Sequence, residues 1–449
     1  MSERPDEPDE ERSSLPLGAL RRSARLASLP VGFAGRTALG VGRRLGGAPA
    51  EAVMTEVQRR TAEQVFSVLG QLKGGAMKVG QAMSIFEAAL PDEIAGPYRE
   101  TLTRLQDAAP PMPLPVVQRR LAAGLGDDWS ELLVELDPEP AAAASIGQVH
   151  RGRWHDGREV AVKIQYPGAA QALRSDLRQL GRLSRLMGVL APGLDVKALL
   201  AELEARVVEE LDYELEARSQ QAFCDAYAGD PDIVVPAVVH AGEGVLVTEW
   251  MESVSSLAQV IATGTRAERD RHGERYVRFL LQSPERLGLL HADPHPGNFR
   301  ILPDGRMGVV DFGAVAQLPD GLPPAIGPLL RAAIDGDADA VTAGLRAEGF
   351  LRPGTRIEPE VLSAYLAPFL EPATTETFTF SREWLRAQAL RVSTPGIEGM
   401  ATSIKINLPP EYLLIHRVWL GGIGVLSQLG ATAPFRAICE ESIPGFAAT

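Results

Sequence analysis

Apolar residues along the chain change from helical to strand-like spacing and back, which predicts an architecture that mixes helices and sheets. Residues 51–105 follow helical spacing, and Val65 and Leu69 fall on one face of a helix. A proline-rich linker at 108–113 separates them from 114–136, which we interpret as a further short helical unit. Residues 51–136 are therefore predicted to be mainly helical, with a break at the linker.

Four strands are predicted between residues 146 and 250. Segments 146–153 and 159–165 are joined by a His-Asp-Gly turn, which is a strong signal for a β-hairpin. The other two predicted strands are 233–237 and 244–250. Helical patterns fill 169–190, 196–228 and 256–289.

A second hairpin is predicted around residue 304. Residues 299–302 and 307–310 read as strands on either side of a Pro-Asp-Gly turn. Because a hairpin folds its ends back on each other, Asp293, Asn298 and Asp311 are expected to converge. Oxygen-bearing side chains of this kind suit Mg²⁺ held together with nucleotide phosphates.

The order of these residues is typical of protein kinases. An Asp and an Asn five residues apart are followed by Asp-Phe-Gly, as at Asp293, Asn298 and 311–313. Either motif alone could equally be explained by the Asp-Pro and Asp-Gly steps that are common in turns. The two together, at hairpin distance, favour a kinase-like site for ATP and Mg²⁺.

Lys163 ends a Val-Ala-Val-Lys sequence on the second predicted strand, where kinases carry a lysine that contacts phosphates. Alone, it would be read as a strand lysine that faces solvent. A loop of small residues precedes the first strand, however, and small side chains let backbone N–H groups approach phosphates. The predicted phosphate loop consists of Ala141, Ala142, Ala143, Ala144 and Ser145.

An acidic run in the predicted helix 196–228 offers partners for Lys163. Under the kinase interpretation one of these acids pairs with Lys163, and helical spacing alone leaves several candidates. They include Glu210, Asp212, Glu214 and Glu216. At the end of the fourth strand, Glu249 and Met251 lie where a kinase hinge offers backbone hydrogen bonds to adenine.

Composition narrows the functional classes. The 449 residues carry a formal net charge of −13, which argues against nucleic-acid binding as the main role. The two cysteines, Cys224 and Cys439, lack metal-ligand spacing and indicate a reducing, cytoplasmic location. The best apolar run, 418–429, is shorter than the about 18 residues that a membrane-spanning helix needs.

Residues 13–50 reverse the acidic character of the chain. They contain six arginines and no acidic residue, with apolar side chains in between. Such a segment could lie on an anionic membrane, at the inner face, or be a solvated linker rich in glycine and proline. Both interpretations stay open.

The sequence after Asp-Phe-Gly contains no long activation segment and no Ala-Pro-Glu. Protein kinases use that region to dock peptide substrates. Its lack favours a small or lipid-like acceptor, or hydrolysis, and argues against a peptide-directed protein kinase.

Taken together, the motifs resemble those of the UbiB/AarF family of atypical kinases, which includes the mitochondrial ADCK proteins. Lys78 to Gln81 match the family's Lys-x-Gly-Gln signature, and 141–150 match its alanine-rich loop. Glu210 and Asp212 match its Glu-x-Asp motif, and 291–298 and 311–313 complete the set.

The resemblance implies an α+β, two-lobed protein-kinase-like fold, rich in helices, with an N-terminal helical extension. It places Glu216 at the lysine-pairing position, so a Lys163–Glu216 ion pair is expected. It also implies that the extension carries Lys78 and Gln81 across the site where a protein substrate would bind. There Lys78 would meet Glu210 and Asp212.

Four regions are predicted along the chain, of which the resemblance covers roughly residues 61–430. They are a disordered basic segment at 1–50, the helical extension at 51–136, the N-lobe at 137–252 and the C-lobe at 253–449. A role in isoprenoid-quinone (ubiquinone) or lipid metabolism is implied as well, with a lipid or quinone-precursor ligand and peripheral membrane contact.

The functional prediction is an Mg²⁺-dependent ATPase or a kinase for a small molecule or lipid. Lys163, Glu216 and Asp293 are its predicted catalytic residues, and Asn298 and Asp311 its metal ligands. The alternative is a nucleotide-binding regulator with little turnover, a pseudokinase-like scaffold in a membrane-associated biosynthetic complex.

Overall fold

The computed structural model describes residues 111–144, 146–169, 211–351, 369–393 and 407–447, with single positions at 171, 354, 357, 362 and 366. Gly80–Pro167 and Ala205–Thr449 form one compact unit, to which every element described below belongs. A second unit comprises Met1–Val79 and Gly168–Glu204.

Helices and strands are numbered in chain order within the described residues. The α-helices are α1 (Leu114–Leu125), α2 (Trp129–Leu132), α3 (Tyr213–Ala226), α4 (Leu257–Thr263), α5 (Arg266–Leu287), α6 (Ile326–Ile334), α7 (Ala338–Ala347), α8 (Arg382–Ser393), α9 (Pro410–Leu429) and α10 (Phe435–Ser442). The strands are β1 (Leu133–Leu136), β2 (Ala142–Ala143), β3 (Gly147–Trp154), β4 (Glu159–Gln165), β5 (Ile233–Val234), β6 (Val238–Gly242), β7 (Val245–Glu249), β8 (Ser255–Ser256), β9 (Leu289–His291), β10 (Phe299–Ile301), β11 (Met307–Val309), β12 (Val315–Gln317), β13 (Phe378–Thr379) and β14 (Thr432–Ala433).

An antiparallel sheet forms the first layer, in the order β1–β3–β4–β7–β6, with β2 paired to β3. The hairpin of β3 and β4 places Arg153 opposite Glu159. It turns at Gly157, whose φ of 91° lies in the left-handed region that suits glycine. The predicted hairpin is therefore confirmed.

One face of this sheet is covered by α1. Val117 and Leu121 of the helix are fully buried in the same core cluster as Val160 and Val162 of β4. Because side chains alternate across a strand, Lys163 points to the opposite face. The strand pattern thus buries one side of β4 in the core and places Lys163 on the other side.

The structure places α3 alongside β6 and β7 and corrects the predicted helix 196–228. Helix α3 begins at Tyr213, because Asp212 adopts non-helical backbone angles and its side chain accepts a hydrogen bond from the N–H of Leu215, 2.9 Å away. Asp212 is therefore the N-cap of a helix and not a residue within one.

Two other predictions about this layer were wrong. Residues 133–136 form strand β1, where a continuation of the helical unit 114–136 was expected, because they pair with β3. Strand β6 was missed, and it forms the edge of the sheet beside β7. Strand β1 depends on pairing with β3, which its own pattern does not indicate. Strand β6 pairs with the next strand, β7, across the two residues 243–244.

The predicted helix 256–289 is two helices. Helix α4 ends at Gly264, and α5 starts from a capping box in which Thr265 and Glu268 each bond the other's backbone N–H. This Thr-x-x-Glu signal was readable in the sequence.

The second layer contains a sheet in the order β5–β11–β10–β8. Its hairpin pairs Phe299 with Val309 and turns at Gly305, as the sequence predicted. Strands β9 and β12 pair antiparallel beside it, with His291 opposite Val315. These short strands hold the candidate site at the ends of hairpins.

Helices form most of the C-terminal part. Helix α5 packs against α9 and α10, and their apolar faces join the strands of the second layer in one large core. Tyr276 and Phe279 of α5 are almost fully buried there. Within the described residues, no helix is both long and apolar enough to cross a membrane.

Candidate nucleotide and metal site

Lys163 and Glu216 form an ion pair that joins β4 to the first turn of α3. The ammonium Nζ donates to Glu216 Oε1 at 2.7 Å and to Oε2 at 2.9 Å. Glu216 is 2% exposed. A paired, buried carboxylate of this kind fixes the position of the lysine head group.

A second carboxylate reaches the same lysine, since Asp311 Oδ1 lies 3.5 Å from Lys163 Nζ. Burial alone would lower the pKa of Lys163, but the charges of Asp311 and Glu216 outweigh it and raise the pKa well above its ordinary value. The lysine therefore stays fully charged at neutral pH, as a phosphate-binding group must.

Asp311 has an unusual backbone. Its φ is 69°, and it is the one non-glycine residue with positive φ in the described part of the chain. This conformation costs of order 1–3 kcal/mol and persists only where neighbours hold it. The N–H of Gly313 donates to Asp311 Oδ1 at 3.2 Å, and His291 Nε2 lies 2.9 Å from the Asp311 carbonyl oxygen, which accepts from it.

Asn298 is brought to Asp311 by the β10–β11 hairpin. The N–H of Val310, the residue before Asp311, donates to the carbonyl oxygen of Asn298 at 2.9 Å. The Asn298 side-chain nitrogen donates to the carbonyl oxygen of Asp293 at 3.3 Å. This orientation leaves the side-chain oxygen of Asn298 as its acceptor atom.

Asp293 lies on the loop that precedes Asn298. Its Oδ1 accepts from the N–H of His295 at 3.2 Å, and its side chain is largely buried. Burial lowers the pKa of His295, while the charges of Asp293 and Asp311 both act to raise it. Asn298 is linked by hydrogen bonds both to Asp293 and to the residue before Asp311, so the structure brings Asp293, Asn298 and Asp311 to one place.

The donor set suits one kind of metal ion. Asp311 and Asn298 offer hard oxygen atoms, which Mg²⁺ prefers. Across the described ranges, no group of three or more His, Cys, Asp and Glu side chains is arranged to hold a metal ion. The residues thus fit Mg²⁺ held by one or two protein groups together with phosphate oxygens.

The small-residue loop is a short hairpin with β3. Its first N–H, that of Ala141, donates to Val149 O at 2.8 Å, and that of Ala144 donates to Gly147 O at 2.9 Å. These two groups are therefore engaged within the hairpin. Ser145 lies outside the described residues.

The predicted hinge follows β7. The N–H groups of Glu249 and Trp250 donate to Ala237 O and Glu159 O, each at 2.9 Å. The side chain of Met251 lies over Gly308, where a Cβ would come within 2.0 Å of the Met251 Sδ. Gly308 thus lets the hinge pack on the strand that leads to Asp311.

Comparison with known proteins decides the family. Residues 104–344 match the model of the "ABC1 atypical kinase-like domain", and this range contains Lys163, Glu216, Asp293, Asn298 and Asp311. The chain belongs to the ABC1 atypical kinase-like family. The expected resemblance and the two-lobed α+β fold are confirmed.

Individual relatives of this ABC1 chain agree with that assignment. It is 34% identical over 381 residues to "Uncharacterized protein sll0005" of Synechocystis, an alignment covering 82% of this chain and 53% of that protein. It is 28% identical over 451 residues to "Atypical kinase coq-8, mitochondrial" of Caenorhabditis elegans, covering 96% and 58%. The chain thus spans little more than half the length of these relatives.

A solved structure of the same fold comes from Mycobacterium tuberculosis, the complex of Rv3197 with erythromycin. It is 42% identical, with a TM-score of 0.69, and the match covers 89% of this chain and all of that one. The ABC1 fold of this chain is thus also found in a solved protein.

Aromatic residues hold the site of this ABC1 chain in place, and some of them were not found from the sequence. The rings of His291 and Phe312 meet edge-on with centroids 5.2 Å apart, and Phe223 of α3 packs 5.0 Å from Phe312. Tyr276 of α5 also supports the loop after Asp293. Phe223 and Tyr276 carried no signal, because buried aromatic residues look like ordinary core in a sequence, whereas His291 and Phe312 belong to the two sequence motifs at 291–298 and 311–313.

Part of the predicted site lies outside the described residues. Lys78, Gln81 and Glu210 belong to this group, as does the basic segment 13–50. Asp212 is described and acts as the α3 cap. Its contact with Lys78 stays a prediction, as do the functional roles and the four-region division.

Proposed function

We propose that this chain binds ATP with Mg²⁺ and transfers the terminal phosphoryl group to water or to a small or lipid-like acceptor. The observation that supports this most is the position of Lys163, paired with Glu216 and 3.5 Å from Asp311 Oδ1. One cation and two carboxylates, each with a partner, resemble a kinase site arranged for Mg-nucleotide.

Each residue has a proposed task in the reaction. Lys163, held by Glu216, orients the phosphates, and the backbone at Glu249 to Met251 receives adenine. Asp311 and Asn298 would hold Mg²⁺, which when bound neutralises charge that develops on the phosphoryl oxygens. Asp293 orients the attacking hydroxyl group or water molecule and accepts its proton.

The class of phosphoryl acceptor is proposed from the chemistry of the site and from the names of relatives. Family members named as COQ8 atypical kinases support a role in isoprenoid-quinone or lipid metabolism. Peripheral contact with an anionic membrane through the arginines of 13–50 is part of the proposal.

The proposal is tested by ATP hydrolysis with purified protein, with and without anionic liposomes and soluble quinone-precursor mimics. Lys163→Ala and Asp311→Asn are expected to lower turnover by at least about 100-fold. Asp304→Asn is the matched control, because Asp304 lies at the exposed turn of the same hairpin, where its carboxylate accepts hydrogen bonds from Arg306. Its turnover should equal that of the wild type.

Two outcomes would contradict phosphoryl transfer. If Lys163→Ala hydrolysed ATP as fast as the wild type, the proposed mechanism would be wrong. Binding of Mg-ATP to the wild type without turnover under any condition would favour the alternative, a nucleotide-binding regulator of a biosynthetic complex.

A further inference from the structure

Two polar side chains are buried on the core side of strand β3. Gln148 is 1% exposed and His150 is fully buried. They stand opposite Ile164 and Val162 of β4, which belong to the apolar core under α1. Because opposite residues of antiparallel strands project from the same side of a sheet, both polar side chains face this core and point away from the side of Lys163. Polar groups buried in this way need hydrogen-bond partners.

Gln148 and His150 form a chain of hydrogen bonds between two backbone groups. The N–H of Met112 donates to Gln148 Oε1 at 2.8 Å, and Gln148 Nε2 lies 2.6 Å from His150 Nε2. His150 Nδ1 lies 2.7 Å from the carbonyl oxygen of Asp137. Because a carbonyl oxygen only accepts, Nδ1 is the donor, and Nε2 accepts from the amide of Gln148. The imidazole ring is therefore held from both sides.

Asp137 begins the segment that leads into the small-residue loop, and prolines interrupt the pairing of this segment with β3. The N–H groups of Asp137 and Ala141 each donate to a carbonyl oxygen of β3 at 2.8 Å. Between them, Pro138 and Pro140 have no N–H to donate. The bond from His150 to the Asp137 carbonyl oxygen thus links the segment to β3 where the backbone of the prolines offers no donor.

The small-residue loop itself is held by few bonds. Strand β2 has two residues, Ala142 and Ala143, which pair with Val149 and Gln148. Such a short strand has little stability of its own, so its position depends on what holds its ends. Val149 stands opposite Lys163, so the loop pairs with the part of β3 that lies beside the lysine. A shift of the loop entry would therefore move the loop relative to Lys163.

We propose that His150 is a positioning residue for phosphate binding, because its Nδ1–H bond to Asp137 fixes the entry of the small-residue loop. Gln148 assists by occupying Nε2, which leaves the ring proton on Nδ1. Neither side chain touches nucleotide, since both face the core side of the sheet. The inference rests on the proposed function, because the loop position affects turnover only if the loop covers phosphates.

Two substitutions separate the two bonds of His150. In His150→Asn the side-chain amide occupies about the place of Nδ1, so the donor to Asp137 is kept and the bond with Gln148 is lost. In His150→Gln the longer amide reaches about the place of Nε2, so the bond with Gln148 is kept and the donor to Asp137 is lost. Each variant loses one buried hydrogen bond, and both should lose similar stability. Only His150→Gln releases the loop entry.

The first measurement is hydrogen exchange in nucleotide-free protein, followed by mass spectrometry of peptide 137–147. This peptide contains the N–H groups of Asp137, Ala141 and Ala144, which are all bonded within the hairpin. Exchange in β7 of the same sheet is the reference and corrects for a general loss of stability. Relative to β7, exchange of the peptide should be at least about tenfold faster in His150→Gln and no more than about twofold faster in His150→Asn.

The second measurement compares the affinity for Mg-ATP with kcat. His150→Gln should weaken binding by about 5- to 10-fold, the value of one hydrogen bond. Its kcat should stay within about twofold of the wild type, because the residues proposed to act on the phosphates are unchanged. His150→Asn should weaken binding by no more than about twofold. A mere loss of stability would instead reduce the active fraction, and with it the apparent kcat, in both variants.

Two further variants complete the design. Gln148→Met keeps the length of the side chain and breaks the same link as His150→Asn, so it should give the same small changes in exchange and affinity. His240→Gln is the matched control, since His240 lies in β6 at the other edge of the sheet. It should equal the wild type in both measurements.

Equal changes in His150→Asn and His150→Gln would overturn the proposal, and His150 would then stabilise the core only. Faster exchange in His150→Gln with unchanged affinity for Mg-ATP would overturn it as well. Absence of Mg-ATP binding by the wild type would contradict the proposed function, whereas the exchange comparison uses no nucleotide and still decides whether His150 holds the loop.

A measurement on the wild type decides if His150→Gln does not fold. The Nδ1 proton of His150 and the N–H of Ala141 should exchange through one shared opening, with the same dependence on urea concentration, as followed by NMR of protein labelled at histidine and alanine. Different urea dependences would show that the loop opens independently of His150 and would overturn the proposal.

Discussion

The hydroxyl group of Tyr276 in α5 donates a hydrogen bond to the carbonyl oxygen of Pro294, 2.7 Å away, on the loop that directly follows Asp293. Tyr276 is fully buried. The same ring lies 3.9 Å from the position that a Cβ on Gly422 of α9 would occupy. One side chain thus connects the helical core to the proposed catalytic loop.

Tyr276→Phe should therefore loosen this loop without opening a cavity. It leaves the Pro294 carbonyl oxygen unpaired, which costs about 1–3 kcal/mol of unfolding free energy. We expect a several-fold lower kcat with little change in the affinity for ATP, measured by steady-state hydrolysis and urea unfolding. Unchanged kcat together with a lower stability would show that the bond is structural only.

Glu216→Gln tests the ion pair while preserving the side-chain shape. Lys163 would then turn towards Asp311, which lies 3.5 Å away, and compete with Mg²⁺ for that carboxylate. We expect the KM for Mg-ATP to rise by about tenfold or more, since a charge-assisted hydrogen bond is worth about 1.5–3 kcal/mol.

Glu214→Gln is the control for this substitution. Glu214 lies in the same first turn of α3, but its side chain is exposed. Its KM for Mg-ATP should match the wild type. An equal rise in both variants would mean that the general negative charge of α3, and not the Lys163 pair, sets the affinity.

His272 in α5 gives a prediction on pH. Burial lowers its pKa from the ordinary value of 6.5 to about 4, helped by the positive charges of Arg275 and Arg271. The unfolded chain then binds the proton more tightly than the folded one, so stability falls as pH drops from about 6.5 to about 4. The loss at the acidic end is about 3 kcal/mol.

His272→Gln removes this titration. Urea unfolding at pH 7 and pH 4.5 should show a smaller loss of stability for the variant than for the wild type. The difference between the two proteins isolates His272 from the carboxylates, which titrate in both. Parallel losses would show that His272 has the same pKa in the folded and unfolded chain.

Gly308→Ala should disturb adenine binding without unfolding the protein. The new Cβ would lie 2.0 Å from Met251 Sδ, and a flexible methionine can move away. That movement changes the proposed hinge, so the KM for ATP should rise while the melting temperature changes by only a few degrees.

The double variant Met251→Ala/Gly308→Ala checks the cause. If the effect of Gly308→Ala passes through Met251, it should largely disappear in a Met251→Ala background. Additive changes in KM would instead place the effect in the backbone of β11.

The sequence predicted best where structure is local. Both hairpins, around Gly157 and Gly305, were readable because their turn residues determine the backbone that joins neighbouring strands. Strand β1 was not readable, since Leu133–Leu136 becomes a strand only by pairing with β3. The interruption at Asp212 was missed for a similar reason, because an acidic residue in a helical pattern gives no sign that it caps a helix.

In the candidate site, too, local features could be predicted from the sequence and contacts between distant residues could not. The convergence of Asn298 and Asp311 followed from hairpin geometry. The choice of Glu216 over its acidic neighbours required a family resemblance, because Lys163 lies 53 residues away along the chain. The supporting residues Phe223 and Tyr276 could not be recognised, since nothing in a sequence distinguishes a core aromatic residue from one that packs beside a catalytic loop.

The left-handed backbone at Asp311 separates two requirements at this position, namely the backbone conformation that the fold needs and the carboxylate that the proposed Mg²⁺ site needs. Glycine and asparagine adopt this conformation readily, whereas alanine and β-branched residues resist it. If all amino acids were tried at position 311, those that preserve the fold would be a different set from the one that preserves chemistry. Glycine and asparagine would give stable, inert proteins, whereas a glutamate would retain the charge and sacrifice the geometry.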